Sequence, residues 1–298
     1  MTIDGGGTVG LASRTLSVAS GQRHTGIAST GAVFRPATTG KGIVLSIANT
    51  TLEWLDIDEN ALSINSTVSS TVISTIQRCI VRGAARSTAT ASHLIGIAAT
   101  SGAAVTINVH HNLVYALTET GTGAGFTIGI NDAGSATRPF NANNNTVYNL
   151  INDGGTGGVT MLSFTDGSGK SIRNNLCVTN SGTGSGAKAC YPTTSASAFA
   201  TNLSSDTSGT SGLTSKTAAN QFVATTGGSE DLHLKAGADA IGVGTDLVTT
   251  PSGVQIDIDG YDRDATGVTW DVGADEYVAI AAVYVPFSIN TIYLEEES

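Results

Sequence analysis

Four aspartates fall within one short stretch near the end of the chain: Asp257, Asp259, Asp262 and Asp264, with Arg263 set among them. That grouping admits two chemistries. A hard cation such as Ca2+ takes several carboxylate oxygens at once, and these four side chains could supply them. Alternatively, Arg263 makes charge-assisted hydrogen bonds to the acids and pins the segment as a structural element. The glutamate that closes an EF-hand loop is missing from its place, so the motif is not that loop. Both readings stay open on the sequence, and beyond Ca2+ no cofactor is expected.

Acids are sparse in the middle of the chain. Glu119, Asp132, Asp153 and Asp166 are the main ones, and each adjoins Gly, Asn or Thr in a turn-like context. Glycoside hydrolysis needs two carboxyls at a controlled separation. Asp132 and Asp166, with Arg138 or Lys170, could line a groove of that kind, although nothing in the spacing singles them out. His110 and His111 are adjacent on an expected strand, so they point to opposite faces. The expectation is one imidazole at a corner and one in solvent. His24, His93 and His233 have no partners at a recognisable spacing. The Gly-rich stretches 5–10 and 182–186 lack the lysine and the following helix of a phosphate loop.

What positions these groups is a repeat. Ile76-Gln77-Arg78-Cys79-Ile80-Val81 is followed by His111-Asn112-Leu113-Val114-Tyr115, Asn144-Asn145-Thr146-Val147-Tyr148, Asn174-Asn175-Leu176-Cys177-Val178 and Thr201-Asn202-Leu203-Ser204-Ser205. Aligned on Arg78, Asn112, Asn145, Asn175 and Asn202, the intervals are 34, 33, 30 and 27 residues. Such a period marks a solenoid. Each unit carries a short apolar strand that it cannot bury alone, and stacking buries the strands in one continuous core. A corner between stacked strands leaves backbone donors and acceptors away from water, and an Asn side chain offers both kinds of partner. Asn112, Asn145, Asn175 and Asn202 therefore read as a structural ladder, with Asn also suited to the left-handed backbone of a sharp corner. In Thr51–Ile57 the alternation puts Leu52, Trp54 and Ile57 inward, and Glu53 and Asp56 outward.

The composition agrees. Charged residues are 13%, aromatics 5%, and Gly numbers 37 of 298, while hydrophobic residues still make up 40%. Small and β-branched residues with many turn formers fit repetitive β structure. The net charge of −10, with 14 scattered Lys and Arg, excludes the clustered basic surface that a nucleic-acid backbone requires. Cys79 and Cys177 fall at near-equivalent strand positions and read as buried free thiols, and with Cys190 the odd total argues against a disulfide framework. The opening residues show no secretory signal, and they read like the middle of a β rung, as if the beginning had been trimmed.

Three regions follow: rungs over 1–228, a terminal element over 229–277, and a tail over 278–298. The terminal element contains 231–244, then Asp257-Ile258-Asp259-Gly260-Tyr261-Asp262-Arg263, then Trp270-Asp271-Val272-Gly273-Ala274-Asp275-Glu276-Tyr277. Together with the repeats, this element resembles the right-handed parallel β-helix, pectate-lyase-like superfamily, in the form with a terminal cap met in secreted bacterial and phage structural proteins. The resemblance implies an all-β, single-stranded right-handed parallel β-helix with a C-terminal cap and an extended tail. It implies a cap made by Asp257, Asp259, Asp262, Arg263, Trp270, Asp271, Asp275 and Glu276, covering the last rung, with Trp270 and Tyr277 closing the end of the core. Enzymes of that superfamily cleave polysaccharides, but their Asp-Asp, Gly-His-Gly and Arg-Ile-Lys signatures are missing here.

The functional expectation is a non-catalytic structural β-helix. It would be a virion component such as a phage decoration, fibre or spike protein, or else an extracellular surface protein. Its partners would be other subunits, as a homo-oligomer or a virion lattice. The tail residues Val283, Val285, Phe287, Ile289, Ile292 and Leu294 would form a docking strand, and Pro286 with the polar residues near it argues against a membrane span. The alternative is a polysaccharide lyase, a glycoside hydrolase or a glycan-binding module with a groove on the solenoid side.

Overall fold

Strands recur in threes, and each third strand stacks on the one before it. The computed structural model describes residues 2–3, 13–35, 43–45, 49–58, 64–66, 74–87, 92–99, 105–192, 195–248, 250–266 and 269–279. The first face runs Thr2–Ile3, Ile43–Leu45, Ile64–Ser66, Leu94–Ala99, Thr127–Asp132, Val159–Phe164 and Lys188–Ala189. The second runs Arg14–Ser17, Thr50–Glu53, Ser74–Gln77, Ile107–His110, Phe140–Asn143, Gly167–Arg173 and Ala196–Ala200. The third runs Val33–Phe34, Asp56–Asp58, Ile80–Arg82, Leu113–Glu119, Thr146–Asn152, Leu176–Ser181 and Leu203–Ser204. Every pairing within the three faces is parallel. The chain is an all-β parallel β-solenoid.

Register follows from the apolar side chains. On the second face Leu52, Ile76, Val109, Ala142 and Ile172 stack in one inward column, each fully buried. Val81, Val114, Val147 and Cys177 form the corresponding column of the third face. A one-residue slip would turn each column outward, so burial sets the register. Gly96 and Gly129 show how tightly the faces meet. A Cβ on either would lie 2.5 Å from a valine methyl, Val114 or Val147, of the facing sheet. The upper end of this core is closed by Tyr191, whose hydroxyl donates to Asn175 O at 2.8 Å, with Phe199 packed edge-on against it.

Two expectations need correcting. Stacking ends at Leu203–Ser204, well before residue 228. From there the chain turns back through a short helix, Ala218–Gln221, and an antiparallel pair, Phe222–Ala224 with Asp231–Leu234. The terminal element then reaches the last rung, at Leu203, from the side and not across the end of the core where Tyr191 and Phe199 pack. It lies along the outer side of the third face instead. That face is apolar on its outside too: Ile80, Leu113, Tyr115, Tyr148, Leu176, Val178 and Leu203 are packed under Phe222, Leu232, Leu234, Ile258, Val272 and Ala274. Trp270 sits in a separate small core with Leu247 and Val254. Residues 280–298, and with them the tail positions named above, lie outside the described residues.

Candidate functional site

The corner between the second and third faces holds most of the polar residues that the sequence singles out. Its backbone is left-handed in six successive rungs: φ is 65° at Trp54, 50° at Arg78, 54° at His111, 51° at Asn144, 56° at Asn174 and 51° at Thr201. The ladder residues come one position later. Asn112 Oδ1 accepts Cys79 N at 3.0 Å, Asn145 Oδ1 accepts Asn112 N at 3.1 Å, Asn175 Oδ1 accepts Asn145 N at 3.1 Å, and Asn202 Oδ1 accepts Asn175 N at 3.0 Å. Each amide nitrogen in turn donates to the neighbouring strand: Asn112 to Ile76 O, Asn145 to Val109 O, Asn175 to Ala142 O and Asn202 to Ile172 O. Cys79, not Arg78, is therefore the true equivalent of Asn112, and the first interval is 33 residues rather than 34. The left-handed strain falls on the preceding residue, which is why Asn144 and Asn174 double the motif.

The residues of the left-handed column face outward and receive the terminal segment. Arg78 Nη1 donates to Gly253 O at 3.0 Å. Asn174 Nδ2 donates to Thr245 O at 2.7 Å, and its Oδ1 accepts Thr245 N at 2.8 Å. Gly273 N donates to Asn174 O at 2.8 Å, and Ala274 N to Thr146 Oγ1 at 2.9 Å. Trp54 belongs to this outer surface, between Arg23 and Arg78 and against His24, rather than to the inner core. Asp56 does face outward as its alternation requires, yet it is fully buried. Arg82 pairs with it at 2.9 Å, and Ser29 N donates to it at 2.7 Å.

Within the segment the acidic motif is a knot of main-chain contacts. Asp257 Oδ1 accepts the N–H groups of Asp259, Gly260 and Tyr261, and Oδ2 accepts Glu276 N. Asp271 accepts Gly242 N and Tyr277 N, both at 2.6 Å. Arg263, fully buried, donates to Glu276 Oε2 at 2.9 Å and to the carbonyls of Asp271 and Gly273. Asp262 caps Asp264 N, and Asp264 accepts Trp270 Nε1 at 3.0 Å. Three of the four aspartates considered as a Ca2+ set, Asp257, Asp262 and Asp264, thus accept from different partners, and Asp259 groups with His233 and Asp275 rather than with them. Burial pushes the carboxyls up, Asp257 to about 9, Glu276 to about 7 and Asp275 to about 6.

Arg263→Met should unravel this knot. It would leave Glu276 buried without its cation, a loss on the order of 3–5 kcal/mol for a broken buried pair. The expected result in limited proteolysis is rapid cleavage within 229–277 while the stacked rungs resist.

The central acids are also used as struts. Asp132 is brought together with Arg138 and Lys170, but in a fully buried cluster rather than an open groove, and Lys170 Nζ reaches Asp132 at 2.5 Å. Burial beside Arg138 brings the Lys170 ammonium down to about 8. Asp166 is exposed. Glu119 is buried against Arg86 and accepts Gly121 N at 2.7 Å. His110 and His111 are both fully buried, contrary to the expectation of one in solvent. The bend at His111 brings their Nδ1 atoms to 3.1 Å. All three cysteines are buried free thiols.

Beyond these, the terminal segment borders an open pocket of about 520 Å3 lined in part by His233, Asp259, Asp275 and Tyr277. Sequence reasoning missed this grouping. Only the spacing of Asp231 and His233, two apart on one strand, could have signalled part of it.

No protein-family model, curated protein or solved structure matches this chain. The resemblance drawn from the repeats and the acidic motif therefore stands at the level of the parallel β-solenoid. No helix among the described residues is long and apolar enough to cross a membrane.

Proposed function

We propose that the chain is a non-catalytic structural protein, a stiff β-solenoid that serves as a component of a virion, in a decoration, fibre or spike role, or of an extracellular surface. The observation that supports this reading is the use made of its buried polar side chains. The Asn column bonds backbone to backbone, the acids of the terminal segment cap main-chain N–H groups, and Asp132 holds two buried cations. Groups that could do chemistry serve as struts in a rod whose third face, apolar on its outside, is covered by its own chain. Partners on this reading are further protein subunits, engaged through the apolar tail.

Deletion of residues 279–298 tests it. The expected outcome is a truncated protein with unchanged circular dichroism that stays monomeric by light scattering under conditions where the full chain assembles. Unchanged assembly would remove the tail from the account. Unsaturated or reducing-end products from polyuronates or neutral glycans, with or without Ca2+, would overturn the non-catalytic reading in favour of a polysaccharide-active enzyme.

A further inference from the structure

The pocket beside the terminal segment holds a set of ligand atoms that the scaffold does not use. Asp231 and His233 share one face of their strand. Asp231 Oδ1 lies 2.6 Å from His233 Nδ1 and also accepts His233 N at 3.2 Å. A carboxylate on Nδ1 places the ring proton there and turns the Nε2 lone pair to the other side, the arrangement by which proteins orient metal-binding imidazoles. His233 Nε2 is 3.8 Å from Asp259 Oδ2. One ligand atom each from His233, Asp259 and Asp275 lie within 4.8 Å of one another.

Asp275 supplies the second observation. It is only 4% exposed and lines the pocket. One of its oxygens accepts Leu234 N at 2.7 Å, while the other accepts no hydrogen bond from a described residue. That second oxygen, beside a second carboxylate and an imidazole lone pair, is open to a positive charge. The nearest lysine does not provide it, since Lys235 Nζ donates to Ala219 O instead. Gly26 approaches the His233 ring closely, and a Cβ there would lie 2.4 Å from Nε2 and cover it.

We propose that His233, Asp259 and Asp275 bind a divalent transition-metal ion, with Asp231 orienting the imidazole. One nitrogen and two carboxylates suit a borderline ion such as Zn2+ better than Ca2+, which prefers an all-oxygen shell. Bonds of about 2.1 Å to Zn2+ can span the 3.8 Å between His233 Nε2 and Asp259 Oδ2. Asp259, with 35% of its side chain exposed, has the freedom to close the remaining gap. The ion would tie the strand Asp231–Leu234 to the turn at 257–260 and to the end of the acidic motif. It belongs equally to a scaffold or an enzyme, so it does not depend on the structural reading above.

The full chain, stripped with a chelator, is titrated with Zn2+ by calorimetry at pH 7.5, and with Co2+ in parallel for its visible absorption. One Zn2+ per chain is expected, and Zn2+ should raise the thermal midpoint of the full chain more than Ca2+ does. His233→Gln and Asp275→Asn should each weaken Zn2+ at least tenfold, and Asp231→Asn by about 10-fold to 100-fold. Lys235→Ala, a lining residue outside the ligand set, should leave affinity unchanged. If either buried variant fails to fold by circular dichroism, Asp259→Asn on its exposed turn carries the test with the same expectation. Lack of Zn2+ binding, binding that survives these substitutions, or a preference for Ca2+ would each overturn the proposal.

Discussion

Asn145→Ala should cost the protein about 4 kcal/mol or more of unfolding free energy. The substitution removes the acceptor of Asn112 N and of Asn112 Nδ2, and the donor to Val109 O, Asn143 O and Asn175 Oδ1. All of these atoms are away from water, with Asn112, Asn145 and Asn175 fully buried. A buried donor or acceptor left without a partner costs about 1–3 kcal/mol, and several are stranded here together. Set against a total stability of about 5–15 kcal/mol, one amide would decide whether the rod holds. Urea unfolding followed by circular dichroism measures it. Thr207→Ala, on an exposed turn, should stay within about 0.5 kcal/mol of the parent. A loss at Asn145 no larger than at Thr207 would mean the column is ornamental.

Acid should weaken the solenoid and strengthen the terminal segment. His110 and His111 are fully buried; burial lowers His110 to about 3 and His111 well below the usual imidazole value. A second proton on both rings would set N–H against N–H across their 3.1 Å contact. Above the unfolded value of about 6.5 both states are neutral and nothing is lost. As pH falls below it, only the unfolded chain takes up protons, so stability drops, by about 3 kcal/mol at pH 4 from His110 alone. The remedy is written in the next rung, where Asn143 and Asn144 occupy the equivalent positions. His110→Asn with His111→Asn should flatten the loss of urea midpoint between pH 7 and pH 4. An unchanged acid slope would show that these rings are not its source.

The terminal segment behaves oppositely. Asp257, Asp271, Asp275 and Glu276 have raised values, each with burial as the largest cause. His233 is raised as well; burial opposes that shift, and Asp275 and Asp231 prevail. The folded segment holds more protons than the unfolded one over the interval between the two sets of values. Its stability is therefore lost as pH rises from about 4 through the folded values of about 6, 7 and 9. Proteolysis of 229–277 should accelerate from pH 5 to pH 8.

The solenoid was legible because its two strongest rules are local. The amide before each apolar strand repeats at a near-constant interval, and burial then forces the register. The one-residue error at Arg78 has a plain cause. The left-handed position and the ladder position are adjacent, both take Asn in the later rungs, and the first unit of the aligned repeat fills them with Arg78 and Cys79, which share no chemistry. The side-on docking was half legible. Leu113-Val114-Tyr115 is apolar at three successive positions, and a strand with both faces apolar is covered on both. What covers it could not be read, because the contacts of Gly253 with Arg78 and of Gly273 with Asn174 join residues 175 and 99 positions apart. The pocket residues are scattered in the same way. Asp275 meets His233 only after the segment has folded back on the rod, and no periodicity announces that.

Amide hydrogen exchange on the full chain tests most directly whether stacked rungs with an amide-bonded corner support a docked terminal segment. The slowest exchange should fall on the amides of Cys79, Asn112, Asn145 and Asn175, opening only with global unfolding. Gly273 and Ala274, which donate to the third face, should be protected at pH 5 and loosen first as pH rises. Rapid exchange along the corner column, or protection in 272–277 that is independent of the rungs, would contradict the account.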